Sequence, residues 1–557
     1  MKSTRWIIPA IFLGLCVAGC SETETQTVVA ATEEKAEINL VARTRHGQVK
    51  GFEEDGVLVF KGIRYGADTA SYRFMPPKLP EPWSDVKDAM AYGNSTRQRQ
   101  GNGLGLFSSW RTDPAPATSE DCLFLNVWTP ALSANGESAK GESDNGESDN
   151  SKPDNSKRPV LVWLHGGGFT TGSGSSNAYD GVRLVKRGDV VVVSINHRLN
   201  IFGHLYLAEY GEKFADSGNT GILDIIQSLE WVRDNIAEFG GDPDNVMIFG
   251  ESGGGMKVSV LLAMEAAKGL FHRAVIQSGP QLDNLESAVA AASAKTVVAQ
   301  LGLSEDSIDQ ILSMPAEDIE QATRDAMADG GAFRLGPVFD QKNFTKQPFN
   351  PGAPSQSRDI PLLIGTTRTE MTLLAGARRP ELFDLTWETL PAALEQGLPG
   401  MDPATVTAGY RELNPELQAP ELFFTAITDN GFLRRSLALA DRKADQGGAP
   451  VYFYLFNWDS PVDDGKWKAM HALEIGFVFD NVAKSESMAG LGENQQLIAD
   501  MMSESWLAFA RSGNPNSDAM PQWLPYTSAE RSTMVIDLNP RMVADPRQEF
   551  MALLAAE

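Results

Sequence analysis

Cysteine is nearly missing from this chain: 557 residues contain three, at positions 16, 20 and 122. A disulfide framework is therefore excluded as the source of stability. Histidine is also scarce. The six histidines are scattered and form no metal-ligand cluster with the cysteines, so the chemistry needs no metal or organic cofactor. Positive charge is in deficit, with 48 Lys and Arg against 73 Asp and Glu, a net charge of −25 and a pI of about 4.7. Such a surface repels phosphate backbones, which argues against a nucleic-acid partner. The apolar run from Trp6 to Val17 is too short to span a membrane. No internal repeat points to a solenoid. What is present is ample hydrophobic residue, 42% of the chain, for a large globular core.

Lys2 and Arg5 precede that apolar run, which ends in "LCVAGC", Leu15 to Cys20. A basic start, an apolar stretch and small residues at the break read as a secretory signal over residues 1–19. The small residues Val17, Ala18 and Gly19 followed by Cys20 resemble the lipobox of bacterial lipoproteins. That resemblance implies cleavage before Cys20 and lipidation of its thiol. Ser21 rather than aspartate follows, which implies outer-membrane sorting in a Gram-negative cell. An exported, membrane-anchored protein is thus expected, touching the membrane only through the lipid at Cys20. Residues 20–40 are polar and acidic and read as a tether. Residues 133–157, rich in Gly, Glu, Ser, Asp and Asn, read as a solvated low-complexity loop. The remaining cysteine, Cys122 in "EDCLFLNVW", reads as a small buried hydrophobe.

Short continuous apolar runs recur between turn residues: Pro159–His165, Asp189–Asn196, Asn245–Phe249, Arg273–Ser278, Ile360–Gly365 and Val451–Phe456. Continuous rather than alternating apolar character suits strands buried on both faces. Helical spacing lies between several of them, as in Ile222, Ile225, Leu229, Val232 and Ile236, with a break at Gly240–Gly241. The alternation predicts an α/β fold, a central mostly parallel sheet flanked by helices. The stretches 281–350 and 372–448 read as helical insertions capping the sheet's carboxyl edge.

The tripeptide Gly-Glu-Ser occurs four times. Three copies, starting at Gly136, Gly141 and Gly146, fall in the low-complexity stretch, where a serine has no ordered partner for its proton. The fourth completes Gly250-Glu251-Ser252-Gly253-Gly254 after the buried run "NVMIF" and before the helical "KVSVLLAMEAA". A strand turning sharply into a helix is the setting of a nucleophile elbow. The second element is "LHGGGF", His165 to Phe169, directly after a strand. Glycines let backbone amides approach an oxyanion closely, so the N–H groups of Gly167, Gly168 and Gly253 are the predicted oxyanion hole.

With these in view, "TGILDIIQSLEWVRDNIAEFGGDPDNVMIFGESGGG" and "SEDCLFLNVWTP" resemble the two signature blocks of type-B carboxylesterases, the cholinesterase-like group of the α/β-hydrolase fold. "FKGIRYG", "RFMPP" and "WLAFARSGNPN" fit as well, and the resemblance runs from about Val41 to Met551, making 41–557 one hydrolase domain. It implies a serine esterase that works through an acyl-enzyme on small-molecule esters. Two departures stand out. Gly253 occupies a position usually held by alanine, which a backbone donor tolerates. Thr96 stands where the family often has the disulfide partner of the second signature's cysteine.

In α/β-hydrolases the chain order is nucleophile, acid, histidine. Only His272 and His471 follow Ser252. His272 leads into a strand and reads as structural, whereas "KAMHALEIGFVFDN" resembles the family's catalytic histidine block, which makes His471 the general base. "IPLLIGTTRTEMTLL" resembles the strand-then-acid block and makes Glu370 the acid; Asp340 is the alternative. Glu251 reads as a buried carboxylate supporting the site, and Glu474 as a structural neighbour of His471. Phe169 is expected to narrow the pocket. A non-catalytic binding protein on this fold is the competing class, and a triad acting on amides, lactones or polyesters is another alternative. The natural ester and the oligomeric state are not legible.

Overall fold

The computed structural model describes residues 40–99, 105–133, 157–328 and 333–555. The signal, almost all of the tether with Cys20, and the low-complexity stretch apart from its ends lie outside the described residues. The described chain opens with an antiparallel pair, Val41–Thr44 against Gly47–Lys50. An eleven-stranded sheet then organises the rest. Its strands are β1 (Phe52–Glu54), β2 (Val57–Arg64), β3 (Phe124–Thr129), β4 (Arg158–Leu164), β5 (Val191–Ile195), β6 (Gly241–Glu251), β7 (Arg273–Gln277), β8 (Leu362–Thr367), β9 (Val451–Phe456), β10 (Ser532–Ile536) and β11 (Arg541–Ala544). Their order is β11-β10-β9-β8-β7-β6-β4-β5-β3-β2-β1. From β10 to β5 every neighbouring pair is parallel; β1, β2, β3 and β11 close the edges antiparallel. This is the α/β-hydrolase arrangement that the signature blocks implied.

The central strands are apolar throughout because both faces are covered. Val160, Val162 and Leu164 of β4 join one hydrophobic cluster, while the intervening Leu161 and Trp163 join the other. The same split divides Val191, Val193 and Ile195 from Val192 in β5. Strand side chains alternate between faces, so an unbroken apolar run is what two covered faces require. Helix α1 (Thr220–Asn235) follows the predicted spacing but ends earlier than expected. A 3₁₀ turn, Ile236–Phe239, carries the chain to Gly240, whose φ of 73° makes the reversal into β6. Asp224 of α1 holds Arg198 through two side-chain hydrogen bonds, 2.6 and 2.8 Å, and accepts the Arg198 amide at 2.9 Å, all fully buried.

The two helical insertions leave the carboxyl ends of β7 and β8 and carry small cores of their own. In the first, α3 (Ser287–Gln300) and α4 (Ala316–Ala328) bury Val297, Ile319 and neighbours against Phe74 and Phe202. In the second, α5 (Ala419–Thr428) packs Leu422 and Phe423 on Leu390 and Tyr410. It continues through a π-helical turn, Asp429–Leu433, into α6 (Arg434–Asp445). Among the described residues no helix is long and apolar enough to cross a membrane.

Candidate active site

Strand β6 ends at Glu251 and helix α2, Gly253–Leu261, begins two residues later. Ser252 alone makes the turn, with φ 56° and ψ −121°, a conformation that costs an L-residue on the order of 1–3 kcal/mol and is held by its surroundings. Its N–H donates to the Gln277 carbonyl at 2.8 Å, and its carbonyl accepts from the Met256 amide at 3.0 Å. The turn is tight because Gly254 passes beside β4: a Cβ there would lie 1.9 Å from the Leu164 carbonyl oxygen. Ser252 is half-buried, and its hydroxyl makes no hydrogen bond to the described residues.

Beside it, after β4, runs the glycine loop His165–Phe169. Gly167 and Gly168 take φ values of 90° and 63°. Their amides, and that of Gly253, donate to no acceptor among the described residues. The loop's carbonyls are all engaged. Gly166 O accepts from His165 Nδ1 at 2.8 Å, and Gly167 O accepts the amides of Thr170 and Thr171 at 3.3 and 3.1 Å. Free donors aimed away from satisfied carbonyls are what an anion needs.

His471 follows β9 by a loop and is buried. Its Nδ1–H donates to Glu370 Oε2 at 2.5 Å. Glu370, three residues past β8, is fully buried; its Oε1 accepts from the Thr367 amide at 2.8 Å and from the Thr366 hydroxyl. Burial alone would push this carboxyl up, but the His471 imidazole and these hydrogen bonds hold it below its ordinary value. The other ring nitrogen, Nε2, faces Glu251 Oε1 at 3.2 Å rather than Ser252. Burial raises Glu251 well above the usual carboxylate range, with His471 opposing and Glu474 adding. Burial also lowers His471, but the Glu251 and Glu370 carboxylates outweigh it and the imidazole is raised. The 3.2 Å contact is an electrostatic one: Glu251 Oε1 makes no hydrogen bond among the described residues. Glu474 is raised by burial and by Glu370, and accepts from Gln277 and Tyr454 at 3.4 Å each.

The chain matches the Carboxylesterase family over residues 38–554. It belongs to that family. It is 37% identical over 517 residues to the para-nitrobenzyl esterase of Bacillus subtilis (strain 168), covering 91% of this chain and 97% of that one. Among solved structures it is similar to carboxylesterase EST55 of Geobacillus stearothermophilus, with 35% identity, a TM-score of 0.77, and 92% and 100% of the two chains covered. An esterase of Clostridium hathewayi that can hydrolyse aliphatic aromatic polyesters is 31% identical, with a TM-score of 0.76 and coverage of 93% and 98%. The protein is a serine hydrolase that cleaves carboxylic esters.

Within this carboxylesterase, Ser252, the glycine loop, His471 and Glu370 come together from four separate strand ends. Asp340 does not join them: it binds Asn219 and Asn343 and accepts the amides of Lys342, Asn343 and Phe344. His272 is engaged with the backbone of Val246. Cys122 is buried beside Thr96, and burial pushes its thiol up to about 12, so it is no nucleophile. Phe169 is nearly buried and lies edge-on to His204, at 5.3 Å between ring centroids. An aromatic ring beside the general base is Phe432, from the π-helical turn, 5.3 Å from the His471 ring. One side chain passed over in the sequence is Lys257. A charged residue inside the apolar run "KVSVLL" was the signal available for it.

Proposed function

We propose that the esterase works through an acyl-enzyme on Ser252, with His471 as general base, Glu370 as its partner, and the amides of Gly167, Gly168 and Gly253 as the oxyanion hole. When an ester enters, His471 Nε2 turns from Glu251 to the Ser252 hydroxyl and takes its proton as Oγ bonds to the carbonyl carbon. The π-electron pair moves to the carbonyl oxygen, where three N–H donors meet the new charge. Glu370 fixes the proton on Nδ1 and stabilises the imidazolium. The imidazolium then gives its proton to the alkoxide leaving group, the C–O bond breaks and the alcohol departs. Water repeats the sequence on the acyl-enzyme and releases the carboxylic acid.

The observation that carries this reading is the 2.5 Å Glu370–His471 pair beside a strained serine and three unoccupied amides. A fluorophosphonate should label Ser252, found by peptide mass mapping. Ser252→Ala and His471→Ala should each remove roughly 10⁶-fold of kcat, and the double variant should be little worse. Label on another residue, or full additivity, would sink the assignment. Because the Clostridium esterase acts on aliphatic aromatic polyesters, such a film belongs in the substrate panel. The signal-like residues 1–19 and Cys20 support export and a lipid anchor as the only membrane contact.

A further inference from the structure

Lys257 lies five residues past Ser252 in α2, with Val258, Val260 and Leu261 near it in the same helix. It is completely buried, and among the described residues no carboxylate pairs with it within ion-pair distance. Its Nζ instead donates to two carbonyls, His165 O and Gly168 O, each at 2.9 Å. These are the carbonyl just before the glycine run Gly166–Gly168 and the carbonyl of its last residue. A trans peptide is planar, so these contacts fix the peptide planes that carry the Gly166 and Phe169 amides, the two planes that flank those of the oxyanion donors Gly167 and Gly168. With Gly166 O held by His165 Nδ1 and Gly167 O held by Thr170 and Thr171, Lys257 supplies the two contacts that complete the set.

We propose that Lys257 is a positioning residue for ester hydrolysis: it clamps the peptide planes on either side of the oxyanion donors Gly167 and Gly168 and draws Gly168 against Gly253, so that the oxyanion amides converge before substrate arrives. The fit at Gly253 is independent support. A Cβ on Gly253 would lie 2.3 Å from Gly168 O, 2.4 Å from Gly168 N and 2.5 Å from Gly168 Cα. The loop is thus seated on the first residue of α2 with no room for a methyl group, and the same Gly168 carbonyl is the one Lys257 holds. The rings of His165, His197 and His204 lie near the ammonium. Burial first, and Lys257 second or later, keeps all three well below their ordinary value, to about 3 for His165 and about 4 for His204. Burial likewise brings Lys257 down to about 7, with Glu251 opposing. A neutral amine still has two N–H donors for two carbonyls, so the clamp survives loss of the charge.

This inference rests on the assignment of Ser252 and its oxyanion amides, and the test separates the two. Lys257→Met keeps the side-chain length and removes the donors. Measured on the full chain with p-nitrophenyl butyrate, its kcat should fall about 10- to 100-fold, the size expected for lost charge-assisted hydrogen bonds, with KM within about twofold. Affinity for an alkyl trifluoromethyl ketone, which forms an oxyanion on the serine, should fall by the same factor. Should Lys257→Met not fold, Lys257→Gln serves: its amide is one bond shorter and reaches at most one carbonyl, so kcat and ketone affinity should again drop together. A folded variant with a lower melting midpoint but unchanged kcat and ketone affinity would make Lys257 merely structural and overturn the clamp. Wild-type esterase that does not bind the ketone, or Ser252→Ala that keeps activity, would instead overturn the assignment beneath it.

Discussion

Replacing Gly253 by alanine puts a methyl group where Gly168 already is. The resemblance to the family implies alanine at this place, so the sequence alone suggests a harmless change; the geometry here says otherwise. The nearest backbone atom would be 2.3 Å from the new Cβ, and side-chain carbons do not approach closer than 3.0 Å, so the loop must retreat by at least 3.0 − 2.3 = 0.7 Å. Gly168 cannot retreat freely, because its carbonyl is bonded to Lys257 at 2.9 Å. An oxyanion contact of about 2.9 Å lengthened by that amount reaches about 3.6 Å, beyond hydrogen-bond range. Loss of one oxyanion donor costs about 10²–10³ in kcat, or ~2.7–4 kcal/mol. Gly253→Ala should therefore lose that much kcat on p-nitrophenyl butyrate with little change in KM, counted against active enzyme titrated with a fluorophosphonate. A kcat within about threefold of wild type would refute the reasoning, since it would mean the loop shifts without moving its donors.

Glu251→Gln removes a carboxylate that raises His471. The base must be unprotonated, so activity rises as pH passes its pKa; lowering that pKa should move the acid limb of kcat/KM to lower pH, by about one unit or more. A limb that stays or moves up contradicts the electrostatic coupling of Glu251 to His471. Asp224→Asn strands the buried Arg198 guanidinium and should cost about 3–5 kcal/mol in urea or thermal unfolding while leaving the residual activity of folded enzyme intact. Cys20→Ser should move the esterase from the membrane fraction to the soluble one, and labelled palmitate should attach to wild type only.

The six apolar runs were legible as strands because burial on both faces leaves no alternation to obscure them, and each is a strand of the sheet. Ser252 and the glycine loop were legible because a sharp strand-to-helix turn and a close backbone approach leave few residue choices. Glu370 and His471 needed the family resemblance, since a contact spanning 101 residues has no local signature. What stayed hidden depends on side-chain direction. Phe432 comes beside His471 from a π-helical turn, and no periodicity announces such a turn. Lys257 was hidden for the opposite reason: a lysine in a helix reads as solvated, and only the two carbonyls it meets explain its complete burial.

The most direct test of the central claim is hydrolysis of p-nitrophenyl esters from C2 to C12 by wild type and Ser252→Ala. Turnover in the wild type that vanishes in the folded variant is the predicted result, and the chain-length profile would size the acyl pocket. Turnover that persists in Ser252→Ala would mean that the ester is cleaved by another nucleophile.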